Sequence, residues 1–199
     1  GLHKQNLERA ASALEVFPAK PAPDFFAALQ GIWLMHLVLS CIVGSRDFSF
    51  RRMEQYLLPL YEQGLADGSL TPDLARACLA HFMLKTKEIT GTTTDNYLSK
   101  PVPSQASNQY VIIGGRGVDG KDEANALSIL IPEAMGYARV PQHMLNVRLG
   151  KNASAEMKQA VAKILPACQH QVQFWNDDLI IPTLQQMGLP DEEAYGYSL

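Results

Sequence analysis

The chain has 199 residues, 47% of them hydrophobic and 19% charged, and a formal net charge of −3. This composition excludes a disordered tail and describes one globular domain of moderate size, or part of a larger one. It carries no basic surplus, which excludes the electrostatic footprint of a nucleic-acid partner.

Gly1 to Arg9 is polar and shows no secretory leader, and Leu7 to Val16 reads as a short helix closed by Pro18, Pro21 and Pro23. Asp24 is placed to cap the next helix. From Phe25 to Ser45 there is no Asp, Glu, Lys or Arg for 21 residues, long enough to span a bilayer. Gln30, Gly31, His36 and Ser40, and the lack of a flanking Lys/Arg cluster, favour a central core helix instead, so no membrane association is expected. Asp47 to Phe50 is a break. Arg52 to Gln63 reads helical and ends at Gly64 and Gly68. Thr71-Pro72 is a good helix start, and the helix from Pro72 to about Ile89 keeps Leu74, Cys78, Leu79, Phe82 and Met83 on one side.

Gly91 to Asn108 is a long loop. Val111-Ile112-Ile113 is a strand that runs into Gly114, Gly115, Gly117 and Gly120. Asp122 is placed to cap the helix that follows, with Glu123 in its first turn and its end near Ala138. Glycines leading into a helix start can cradle a phosphate, but a tight strand–helix connection without a ligand is the simpler reading. Leu145 to Arg148 is a second strand, and helices follow around Ala153 to Ile164 and Asp177 to Met187. The expected fold is mainly helical, with a few strands set between helices. Two or three strands are too few for a free-standing sheet, which points to an incomplete domain.

Few residues cluster in a way that carries chemistry. Cys41, Cys78 and Cys168 have no framework spacing and fit a reducing, cytoplasmic setting. Cys78 and His81 could share one helix face, but no second pair accompanies them, so Cys78 reads as structural and no metal site is expected. Asp119, Asp122 and Glu123 lack the alternation of a calcium loop. Asn152-Ala153-Ser154 is a formal glycosylation acceptor without meaning in a cytosolic chain. In Asn176-Asp177-Asp178, helix capping by Asn176 or Asp177 is preferred over paired acid/base work. Arg46-Asp47 and Arg51-Arg52 bracket the break after the apolar helix, where charges either reach solvent or line an internal pocket.

Taken in order, several of these segments resemble the glycyl radical enzymes, the pyruvate formate-lyase family. Met53 to Tyr61 with Gly68 to Thr71 resembles the family's "R-x-D-Q-Y-x-x-P-x-Y … G-x-x-T" stretch. Ile113-Gly114-Gly115 through Asp119-Gly120 to Asn125-Ala126-Leu127-Ser128 is similar to its "GG-x-x-x-DG-x-D-x-x-N-x-L-S". Pro141 to Arg148 resembles "P-x-L-x-V-R", Phe174 to Asp178 the "N-D" segment, and Phe25 to Gln30 the "T-F-x-E-A-L-Q" helix. The likeness is collinear from about Leu7 to Leu199.

The resemblance implies an α/β barrel of ten strands around a buried site, of which this chain, residues 1–199, would be a single partial domain. It implies radical cleavage of C–C or C–X bonds in a small molecule, as in formate acetyltransferase-like transferases and dehydratase-like lyases of anaerobic metabolism. A separate activating enzyme, using S-adenosylmethionine and an iron–sulfur cluster, installs the glycyl radical, which passes to a loop cysteine. The family's "G-C-x-E" cysteine loop and its glycyl radical motif have no counterpart here. The chain alone is therefore expected to be inactive, to hold no cofactor, to lack catalytic residues of its own and to oligomerise. The alternative is a non-catalytic helical scaffold derived from that barrel. Arg51 stands where the family usually has glycine. If the family's pocket is retained, Arg46 and Asp47 would bind substrate and shift its charge preference; an ion pair holding the loop is the competing reading.

Overall fold

A computed structural model describes residues 1–40, 48–88, 109–140, 143–166 and 172–197. Helices α1 (Leu2–Val16) and α2 (Phe25–Val38) precede strand β1 (Phe48–Ser49). Then come α3 (Met53–Tyr56), α4 (Leu58–Asp67), α5 (Pro72–Glu88), β2 (Gln109–Gly114) and α6 (Ala126–Ala138). The remaining elements are β3 (His143–Leu149), α7 (Ala155–Ile164), β4 (Val172–Asn176), α8 (Asp177–Gln186) and α9 (Asp191–Tyr195).

The four strands form one parallel sheet in the order β1-β2-β3-β4. Parallel neighbours taken in sequence order need crossovers of one hand, which puts the connecting helices on one face of the sheet. The packing agrees. Val111 and Ile113 of β2 and Leu145 and Val147 of β3 share a core with Leu79 and Met83 of α5, Leu127 and Ile131 of α6, and Met157 and Val161 of α7. Side chains alternate along a strand, so Ile112, Asn146, Arg148 and Trp175 project to the opposite face. We call this the inner face.

Several expected boundaries shift for identifiable reasons. The first helix begins at Leu2 instead of Leu7. The helix expected over Arg52–Gln63 breaks at Leu57, because Pro59 lacks an N–H and sits in the first turn of α4. Gly64 does not end α4. It lies inside the helix, where a Cβ would come 2.7 Å from Leu70 Cβ, and Gly68 closes the helix at φ 75°. Asp24 and Thr71 act as expected, accepting from the backbone N–H of Ala27 (2.7 Å) and Leu74 (3.2 Å).

Asp122 does not cap α6. The Gly117–Gly120 turn leaves it four residues short of Ala126, where it accepts from Ser154 N (2.8 Å) at the start of α7. Asn125 is the cap: its Oδ1 accepts from Leu127 N (2.9 Å), and its own N–H donates to Ser128 Oγ (3.0 Å). Strand β1 occupies part of the expected break, and β4 adds a strand that the sequence reading lacks. Helix α2 is α-helical for 14 residues, continues as a π-helical turn through Leu39 and Ser40, and packs against α1, α4 and α5. Among the described residues no helix is long and apolar enough to cross a membrane.

Candidate functional site

In parallel sheets, ligand sites gather at the carboxyl ends of the strands, and here that end is tied by two polar clusters. Gly114 and Gly115 leave β2 with φ of 74° and 108°. A Cβ on Gly114 would lie 2.7 Å from the Arg148 carbonyl oxygen, and one on Gly115 would lie 2.9 Å from Arg148 Cζ. The room at Gly114 is taken by the Arg148 carbonyl and the Met157 side chain, and that at Gly115 by the Arg148 guanidinium. The turn is packing and leaves no phosphate cradle beneath those two glycines.

Arg148 is 1% exposed and fully engaged. Its Nε and Nη2 donate to Asp177 Oδ1 (3.0 Å) and Oδ2 (2.9 Å), Nη2 also to Tyr195 O (2.9 Å), and Nη1 to Tyr197 O (3.2 Å). The Tyr197 ring centroid is 3.9 Å from the guanidinium carbon. Asp177 is buried as well and accepts further bonds from Arg116 N (2.9 Å) and Tyr197 Oη (2.6 Å). Burial, then the bond to Asp177, raises the Tyr197 phenol, which keeps its proton as the donor. Of the two residues expected to cap α8, Asn176 does so through Asp178 N (3.0 Å), while Asp177 serves Arg148. Removing one partner of this pair would strand a buried charge, at a cost of about 3–5 kcal/mol. The sequence reading missed both residues in this role. The one charge inside the apolar run Met144–Leu149 is the signal that could have found Arg148.

The second cluster is built by Arg52, Glu54 and Gln55. Arg52 donates to Glu123 Oε2 (2.6 Å), Gly114 O (2.7 Å) and Glu54 Oε1 (3.4 Å). Gln55 Nε2 donates to Glu123 O (2.8 Å), and Asn125 Nδ2 to Glu54 O (3.1 Å). Glu54 is fully buried, and burial pushes its carboxyl up to about 7 against the pull of Arg52. Glu123, expected in the first turn of α6, instead joins this cluster. The segment around Arg52-x-Glu54-Gln55 thus holds the glycine turn and the helix start together.

On the inner face, Asn146 is 1% exposed, and neither its Oδ1 nor its Nδ2 has a hydrogen-bond partner. The buried Trp175 Nε1 on the adjacent strand has none either. His36, also fully buried, packs against Phe48 and Phe50 at centroid distances of 4.9 and 5.5 Å, and burial lowers its imidazole to about 4.

Arg46 and Asp47, the expected substrate-binding pair, lie outside the described residues, as do Cys41, Cys168 and the 91–108 loop. Cys78 is half-buried beside α2, with its thiol raised by burial. Among the described residues no group of three or more His, Cys, Asp or Glu could hold a metal ion.

The sequence profile of the pyruvate formate lyase-like family matches residues 2–199. A probable dehydratase, YbiW, from Escherichia coli is 29% identical over 98% of this chain and 24% of its own length. Isethionate sulfite-lyase from Desulfovibrio desulfuricans is 27% identical over 100% of this chain and 24% of its own length. The crystal structure of a glycyl radical enzyme from Archaeoglobus fulgidus superposes with a TM-score of 0.84 at 27% identity, covering 99% of this chain and 25% of that one. The chain thus spans about a quarter of the length of the proteins it matches.

Proposed function

The chain belongs to the pyruvate formate lyase-like family, and from that premise we propose that it builds part of the barrel wall of a glycyl radical lyase or dehydratase. The observation that carries this reading is the end-to-end superposition on a glycyl radical enzyme at a TM-score of 0.84. The sheet adds support: it is parallel, its strands are in sequence order, and the core helices pack on one face, as a barrel wall requires.

In this reading the radical glycine and the cysteine that receives the spin belong to other parts of the complete polypeptide. The glycyl radical, installed by a separate S-adenosylmethionine/iron–sulfur activating enzyme, supplies hydrogen abstraction from a small-molecule substrate. The residues of this chain do the rest of the work. Arg148 and Asp177 fix the strand ends and hold the Tyr195–Tyr197 backbone against them. The packed wall keeps solvent from the chemistry. Arg46 and Asp47 set the charge preference of the pocket. The small-molecule substrate is a hydroxylated or otherwise substituted compound that loses water or another leaving group. The enzyme is cytoplasmic, works anaerobically, assembles as a homo-oligomer and binds neither nucleic acid nor membrane.

The test is anaerobic activation of the complete polypeptide with a radical activating enzyme. Electron paramagnetic resonance should reveal a carbon-centred radical, and product should accumulate from at least one of 1,2-propanediol, trans-4-hydroxy-L-proline and isethionate. A polypeptide that acquires no radical under conditions that activate a characterised relative would overturn the reading.

A further inference from the structure

Among the described residues of the inner face, the buried carboxamide of Asn146 is a polar group that the fold itself does not use. A side-chain amide offers two N–H donors and a carbonyl acceptor, and both of its polar atoms lie buried without a partner. Leucine, of similar size, would remove that cost. On the same strand Arg148, by contrast, spends its guanidinium on Asp177, Tyr195 and Tyr197. Buried polar groups left unsatisfied are where a structure departs from stability for another purpose.

Position gives the purpose. Leu145 and Val147 point into the helix-covered core, so Asn146 between them points to the inner face. On β4, Gln173 pairs with Asn146 in register and Trp175 with Arg148, which places Asn146 and Trp175 on a diagonal of that face. Strand spacing and rise put their Cα atoms about 8 Å apart. The Trp175 indole N–H is a second buried donor without a partner. Because Asp177 cancels the charge of Arg148, this part of the face presents neutral hydrogen-bonding groups and no net charge.

We infer that Asn146, with Trp175 beside it, hydrogen-bonds a hydroxyl-bearing part of the substrate and so helps to set specificity; this rests on the barrel-wall reading above. A carboxamide gives and accepts at once, as a hydroxyl does, while the indole N–H serves a second oxygen. A molecule with two neighbouring oxygens satisfies both residues, and one with a single hydroxyl does not. Sites built to bond a hydroxyl discriminate strongly against analogues that lack it.

The experiment uses the complete polypeptide without activation, so that binding is read apart from radical chemistry. Equilibrium dialysis compares 1,2-propanediol and glycerol with 1-propanol for wild type and Asn146→Leu, alongside the melting temperature of the ligand-free proteins. Wild type should prefer a diol to 1-propanol. Asn146→Leu should lose about tenfold or more in diol affinity and lose the preference, yet melt no lower than wild type. A wild type without a preference, or a leucine variant that keeps it, overturns the inference. Should the leucine variant not fold, Asn146→Ala is read by the loss of diol affinity and of the preference. A diol-preferring wild type that acquires no radical on activation would instead remove the enzyme reading and leave Asn146 as a diol-binding residue with no reaction to serve.

Discussion

Glu54 and His36 are both fully buried, and burial moves their proton affinities in opposite senses. The Glu54 carboxyl rises from an ordinary 4.5 to about 7, so between those values the folded protein holds a proton that the unfolded chain has lost. Its contribution to stability therefore falls as pH rises from 4.5 and is fully lost above about 7. The His36 imidazole drops from 6.5 to about 4, so the unfolded chain gains a proton first as pH falls. Its contribution is whole above 6.5 and is lost toward pH 4. The two slopes oppose each other across pH 4.5–6.5 and hide one another in the wild type. Glu54→Gln should gain about 3 kcal/mol over wild type between pH 4.5 and 7, read by denaturant unfolding at a series of pH values. A difference that stays flat with pH would contradict the assignment. At this scale, local signals such as Asp24, Thr71 and Asn176 were legible, because a cap answers only to its own helix. Asp122, Arg148 and Asp177 answer to residues 20 to 61 positions away, the Asn146 side chain bonds to no neighbour in sequence, and no local pattern announces either.

The connection from β1 to α3 concentrates its strain in one backbone angle. Arg51 has φ 54°, in the left-handed region that costs a side-chain-bearing residue about 1–2 kcal/mol. Glycine takes this conformation without that cost. The turn is held by Arg51 N donating to Ser49 Oγ (3.1 Å) and Ile112 N donating to Arg51 O (3.0 Å). Arg51→Gly should therefore stabilise the protein by about 0.5–1 kcal/mol, visible as a raised denaturant midpoint at unchanged slope. A lower midpoint would mean that the arginine side chain contributes more than its backbone costs. The helices were readable from their apolar periodicity and caps. The edge strands were not: β1 is two residues long, and β4 leaves Phe174 55% exposed, so neither shows a buried pattern.

At the scale of the molecule, the sheet is covered by helices on one face, and β4 stands at its edge with Phe174 and, on α8, Leu179 (66% exposed) in the open. Such a surface asks for a neighbour. The 199-residue chain alone should self-associate in sedimentation velocity, with a weight-average mass that rises with concentration. A monodisperse monomer at high concentration would contradict this. Collinear motifs made the family legible in the sequence, whereas the inner face was not, because β2 and β3 are buried along both faces and period-two alternation there leaves no contrast to read. The central claim is that this sheet is a wall with helices behind it and substrate before it. The most direct measurement is a crystal structure of the complete polypeptide with a bound diol substrate. The account predicts substrate oxygens within hydrogen-bond reach of Asn146, on the face opposite Leu145 and Val147. A substrate on the helix side, or helices packed on both faces of the sheet, would contradict it.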